Sequence, residues 1–125
     1  MIEEALTSIL KTAAAAVTPR VYPGNVPQNA DLPLVFCTKV SGSRDHSLTG
    51  PTGLANPRFQ IEAWAETYAA AKRLANTIRV AIDGKKFTIG SDVVLSILIQ
   101  SERDFYEPEL SAHRIIMDYM MWHRE

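Results

Sequence analysis

Four of the seven prolines in this 125-residue chain fall between residues 18 and 33, at Pro19, Pro23, Pro27 and Pro33. Each lacks a backbone N–H and holds φ near −65°, so the stretch can be neither a helix nor a central strand. Flexible linkers carry more Ser and Gly and less Val, Tyr and Leu, so 18–33 reads as an extended, ordered arm lying over the surface. Within it Tyr22-Pro23-Gly24-Asn25 fits a type II turn, with Pro at the first central position and Gly at the second.

The arm separates a helix from a run of strands. Upstream, Ile2, Leu6, Ile9, Leu10, Ala13 and Val17 recur at helical spacing, with Glu3 and Glu4 at the favourable N-terminal end. Pro19 should stop this helix by Val17 or Thr18. Downstream, residues 34–40 are rich in β-formers. Residues 41–57, with Gly42, Gly50, Gly53, Pro51 and Pro57, show no period and read as a long loop, functional or mobile. Residues 58–64 alternate, placing Phe59, Ile61 and Ala63 opposite Arg58, Gln60, Glu62 and Trp64. A second helical face follows in Tyr68, Ala71, Leu74, Ala75, Ile78, Ala81 and Ile82, with Thr67 as N-cap and Gly84 as C-cap. Val93, Leu95, Ile97 and Ile99 share one face of a further strand, and Ile115, Met117, Tyr119 and Met121 one face of the last. The opposite faces of these strands, with Leu98, Ile116, Met120 and Trp122, are unusually apolar, which calls for a second cover or another subunit.

These elements predict an α+β fold: an antiparallel sheet of about four strands with two helices packed on it, in the order α-β-β-α-β-β. The length suits a single domain, residues 1–125, able to bury a core without disulfides or metal. No apolar run is long enough to span a bilayer, and the acidic start Met1-Ile2-Glu3-Glu4 does not read as a secretory signal, so a cytosolic origin is expected.

Composition excludes several functions. Thirteen basic and fourteen acidic residues give a net charge of −1, far from the cationic surface of a tight nucleic-acid binder. The lone Cys37 reads as a small buried hydrophobe. His46, His113 and His123 share no ligand spacing with each other or with Cys37, so no metal is expected. There is no nucleophile elbow, phosphate loop or dinucleotide fingerprint, and no cofactor is implied. His46 beside Asp45 lacks a visible nucleophile. Residues 101–110, with Glu102, Asp104, Glu107 and Glu109 against Arg103, read as a solvated acidic loop rather than a catalytic carboxylate pair. The chain is not read as an enzyme.

Several segments resemble the tail-completion or tail-terminator family of long-tailed bacteriophages and related prophage particles. They are Arg20-Val21-Tyr22-Pro23-Gly24 with Pro27-Gln28, Val40-Ser41-Gly42-Ser43-Arg44, Arg58-Phe59-Gln60-Ile61 with Trp64-Ala65, the helix from Tyr68 to Gly84, Arg103-Asp104-Phe105-Tyr106-Glu107-Pro108, and Arg114 with Met117-Asp118. The order and spacing of these segments over nearly the whole chain carry the resemblance. It implies a structural virion protein assembled in the bacterial cytoplasm and placed at the head-proximal end of the tail. There identical copies, usually six, close a ring on the tail tube, end its growth and meet a head-completion or stopper protein. DNA would pass through the ring without sequence-specific binding, and no membrane is involved.

A cyclic ring needs two different patches on each copy. Tyr22, Pro23, Arg44, Trp64, Met120 and Trp122 are the expected contributors to contacts with siblings or tube, although core burial would serve the large ones equally well. Either the acidic segment 101–110, with Glu102, Asp104 and Glu107, or the loop 41–57 is expected to face the lumen. The alternative is a small soluble binding or regulatory module, with the arm and long loop forming a pocket for a peptide or small ligand.

Overall fold

A computed structural model describes residues 2–15, 20–24, 31–42, 44–48 and 50–124. The first helix, α1 (Ile2–Ala14), buries Ile2, Ala5, Leu6, Ile9, Leu10 and Ala14 and keeps Glu3 and Glu4 in its first turn. The expected stop near Val17 or Thr18 lies outside the described residues. Strands β1 (Val21–Pro23), β2 (Leu34–Ser41), β3 (Arg44–Ser47), β4 (Gly50–Ala55) and β5 (Arg58–Ala65) follow, then α2 (Tyr68–Ile82), and finally β6 (Phe87–Ile89), β7 (Asp92–Glu107) and β8 (Ala112–Arg124).

Thr67 caps α2 as expected, its hydroxyl accepting from the Ala70 N–H at 3.1 Å. Gly84, at φ +73°, takes the left-handed position after the helix, where a side chain would be strained. Gly24, at φ +74°, matches the second central position of the expected type II turn.

The expectation of about four antiparallel strands is overturned. Among the described residues eight strands form one curled, mixed sheet, in the order β1-β2-β5-β8-β4-β3, with β7 also paired to β8 and β6 to β7. Three misreadings account for the difference. Part of the proline-rich arm is a strand: β1 runs parallel to β2, with Val21 opposite Val35, and Val21 is buried. Its single proline, Pro23, is tolerated because β1 is an edge strand. Arg20 fastens this segment, its guanidinium donating to the carbonyls of Asp31, Leu32 and Pro33 at 3.0, 3.3 and 3.1 Å.

The expected loop at 41–57 contains the β3–β4 hairpin, which joins the sheet where Leu54 and Ala55 pair with Arg124 and His123. The expected acidic loop at 101–110 is largely strand, because β7 continues to Glu107 and only the turn at Pro108–Ser111 links it to β8. Register shifts between Val94 and Ser96 and between Ile99 and Ser101 interrupt the alternation of β7. Each extra residue turns the following side chains to the other face, so Val94 rather than Leu95 joins Ile97 in the core.

Both helices cover one face of the sheet. Phe59, Ile61, Ala63, Ile115, Met117, Tyr119 and Met121 lie on that face and are at most 1% exposed, packed with Leu6, Leu10, Leu74 and Ile78 of the helices. Tyr68, expected in this core, is 45% exposed at the start of α2. Among the described residues no helix lies on the opposite face.

Candidate functional site

Strand pairing sets out the helix-free face as rows of side chains. Trp64, Arg114 and Phe105 form one row, Glu62, Ile116 and Arg103 the next, Gln60, Asp118 and Ser101 a third, and Arg58, Met120 and Leu98 a fourth. Trp122 lies beyond, opposite Ser96. Cross-strand neighbours about 5 Å apart interact directly, so each row is a unit.

The first two rows centre on Arg114. Its guanidinium lies 5.4 Å from the Trp64 ring centroid and 5.3 Å from that of Phe105. One terminal nitrogen meets Glu62 Oε1 at 3.0 Å and the other meets Glu107 Oε1 at 3.0 Å. The two carboxylates differ in setting: the Glu62 side chain is 4% exposed and that of Glu107 is 34% exposed. Glu62 also accepts from Gln60 Nε2 at 3.3 Å. A planar guanidinium between two rings and two carboxylates uses its stacking faces and its donor edge together, which a lysine cannot do. On the same face Asp118 accepts from the Ser101 hydroxyl at 2.8 Å and pairs with Arg103 at 3.4 Å.

Strands β7 and β8 form a long hairpin whose end lies beside the start of α2. From Gln100 to Tyr106 every residue of β7 is exposed, and Phe105, Tyr106 and Leu110 present 44%, 53% and 64% of their surface. On the helix side of this hairpin, Asp104 accepts from the Tyr68 hydroxyl at 2.7 Å and pairs with Lys72 at 3.1 Å, while Glu102 lies 3.8 Å from Lys72. The His113 ring stands 5.8 Å from that of Tyr68 and 4.7 Å from that of Tyr106. Donation from Tyr68 lowers the Asp104 carboxyl below its usual range, and the Asp104 hydrogen bond raises both the Tyr68 hydroxyl and Lys72.

The residues expected at interfaces do not form one patch. Met120 and Trp122 are half-buried at one end of the helix-free face and Trp64 at the other. Tyr22 and Pro23 lie on β1, at the far edge from β7, and Arg44 begins β3. The three expected lumen carboxylates separate as well: Glu102 and Asp104 lie on the helix side of the hairpin, Glu107 on the other with Arg114. The Glu62–Arg114 link spans 52 residues of sequence. Its signal was the strand alternation, which assigns opposite charges to one face of neighbouring strands.

Other chemistry finds little support. A cleft of about 200 Å³, lined by Ile2, Glu3, Lys39, Gly42, Arg44, Ala55, Pro57 and His123, is charged and below the range of about 300 Å³ upward typical of small-molecule pockets. Among the described residues no three His, Cys, Asp or Glu side chains gather as a metal cluster, and no helix is long and apolar enough to cross a membrane. Cys37 is buried, and that burial, aided by Glu3, pushes its thiol up to about 12.

The sequence matches the family model of tail completion protein gp17 over residues 4–124. The chain belongs to this family. A tail-completion protein is a structural component of the virion tail, and that is where this chain is located. Its fold is similar to that of a chain in the virion of a native gene transfer agent particle, with a TM-score of 0.73 and 17% identity, covering 90% of this chain and 84% of that one. A search of proteins with curated descriptions gives no match.

Proposed function

We propose that copies of this tail-completion protein close into a ring, six in number, on the head-proximal end of the tail tube. The ring ends tube growth and offers the head-completion protein its docking surface, while DNA passes through. The observation that carries this reading is the sheet itself. One face is sealed by two helices, whereas the other holds Trp64, Phe105, Leu98, Met120 and Trp122 with no helix over them among the described residues, and the β7–β8 hairpin exposes Phe105, Tyr106 and Leu110.

A ring seam of standard size buries about 800 Å² per partner. The exposed side chains of the hairpin and an open sheet face supply surface of that kind. In this arrangement the helix side of the hairpin faces the lumen, with Glu102 and Asp104 held by Lys72, and Glu107 belongs to the seam with Arg114. Ion pairing leaves little net charge toward passing DNA, which neither binds nor strongly repels it.

The test is to mix the purified protein with tail tubes and examine the tube ends by electron microscopy, with native mass measurement of the protein released from them. A six-copy collar at one end supports the reading. A protein that leaves tube ends bare refutes it.

A further inference from the structure

The two ends of the sheet differ in their exposed charged residues. At the hairpin end lie Glu102, Asp104, Glu107 and Glu109, accompanied by Lys72, Arg103 and Arg114. At the other end, where β5 begins and β8 finishes, the pairings Arg58↔Met120 and Leu54↔Arg124 place Arg58 and Arg124 on the helix-free face, whereas Lys39, opposite core-facing Phe59, turns to the helix side and pairs with Glu3 at 3.5 Å. The same two ends carry matching apolar features: the hairpin tip exposes Phe105, Tyr106 and Leu110, and the basic end has Leu98 (47% exposed) beside half-buried Met120 and Trp122 on the helix-free face.

We infer that the β7–β8 hairpin of one copy docks on the helix-free face of the next copy, at the corner formed by Arg58, Leu98, Met120 and Trp122. The occupant is a second copy of this chain because its own hairpin complements the corner twice over, in charge and in apolar character. The geometry agrees. About nine residues of strand separate Leu98 from Glu107, so tip and corner lie roughly 30 Å apart on one molecule. A hairpin that cannot reach its own corner can reach a neighbour's. Contact between two different patches is heterologous, the type that closes into rings. Complementary charge at its rim sets register and speeds encounter. This inference rests on the ring reading above and adds which surfaces meet.

The test uses cysteine pairs in the full-length chain assembled on tail tubes. Leu110→Cys and Arg58→Cys are made singly and together; native Cys37 is buried. Under mild oxidation the double variant is expected to give a ladder of covalent oligomers, and neither single variant should. A second arm exchanges charge at exposed positions, Glu109→Arg and Arg58→Glu. Each alone should raise the protein concentration needed to cap half the tubes about tenfold, and the two together should return it toward wild type. Capped tubes with no ladder and no charge dependence would overturn the hairpin seam and leave the ring standing. Tubes that the wild-type protein never caps would overturn both.

Discussion

Replacing Arg114 by alanine tests whether the Trp64–Arg114–Phe105 row and its carboxylates hold the helix-free face together. The substitution leaves the Glu62 carboxylate, 4% exposed, with only the Gln60 amide at 3.3 Å. Removing one member of an enclosed ion pair costs about 3–5 kcal/mol, because the remaining charge stays buried. Arg114 keeps 27% of its side chain open to solvent, which lets water reach the gap. The expected loss is therefore near the low end, about 3 kcal/mol. For a chain of this size that lowers the melting temperature by about 10 °C.

Two controls separate this cause from lost packing. Glu107→Gln removes the half-exposed partner and should cost less than about 1 kcal/mol. The double variant Glu62→Leu/Arg114→Leu removes both charges and should recover at least half of the loss, since apolar replacement of an entire buried pair is often neutral. Urea unfolding followed by circular dichroism supplies all three values. If Arg114→Ala costs no more than Glu107→Gln, Glu62 is not stranded by the change and the electrostatic account fails.

Three further outcomes are expected. Cys37, pushed up to about 12 by burial, should resist thiol reagents at pH 8 in the native protein and react within minutes once unfolded; the stability due to its neutral form is complete below the ordinary value of 9.0 and is lost as pH rises through about 12, so alkaline unfolding should begin in that window. Thr67→Ala should cost about 1 kcal/mol through loss of the α2 cap, read as a fall of a few degrees in melting temperature, and no change would mean that the 3.1 Å bond to Ala70 N–H contributes nothing. Tyr68→Phe should raise the lowered Asp104 carboxyl toward its ordinary 3.8 in an NMR titration while leaving global stability unchanged; because the carboxyl is lowered in the native state, its contribution is present above that value and fades as pH falls through the native titration.

The elements legible in the sequence are those whose side chains keep one period. The helical faces of α1 up to Ala14 and of α2 from Ala71 onward, the Thr67 cap and the alternation of β5 and β8 carried through, because a continuous apolar stripe is what packs against the opposing layer. Three elements broke that rule for separate physical reasons. Strand β1 is three residues long and proline-bearing, so nothing local distinguishes it from a loop; its strand character comes from parallel pairing with β2. The β3–β4 hairpin includes Gly50, Pro51 and Gly53 and joins the sheet through only Leu54 and Ala55. Strand β7 hides its length because two bulges shift its alternation and its outer half is exposed on both faces.

The candidate site was legible in the same uneven way. Trp64, Met120 and Trp122 were assigned to the face away from the core by alternation alone, and they lie there. The Arg114 cluster depends on the register between β5 and β8, which brings half-buried Arg114 to the buried carboxylate of Glu62. The splitting of Glu102 and Asp104 from Glu107 likewise follows from strand geometry, which no loop reading of 101–110 could supply.

The measurement that bears most directly on the proposed role is the length distribution of tail tubes polymerising with and without this protein. A closed collar at the growing end predicts that adding the protein during elongation freezes tube length at once, with one collar per finished tube. Tubes that continue to lengthen at the same rate, with the protein absent from their ends or scattered along their walls, would contradict it.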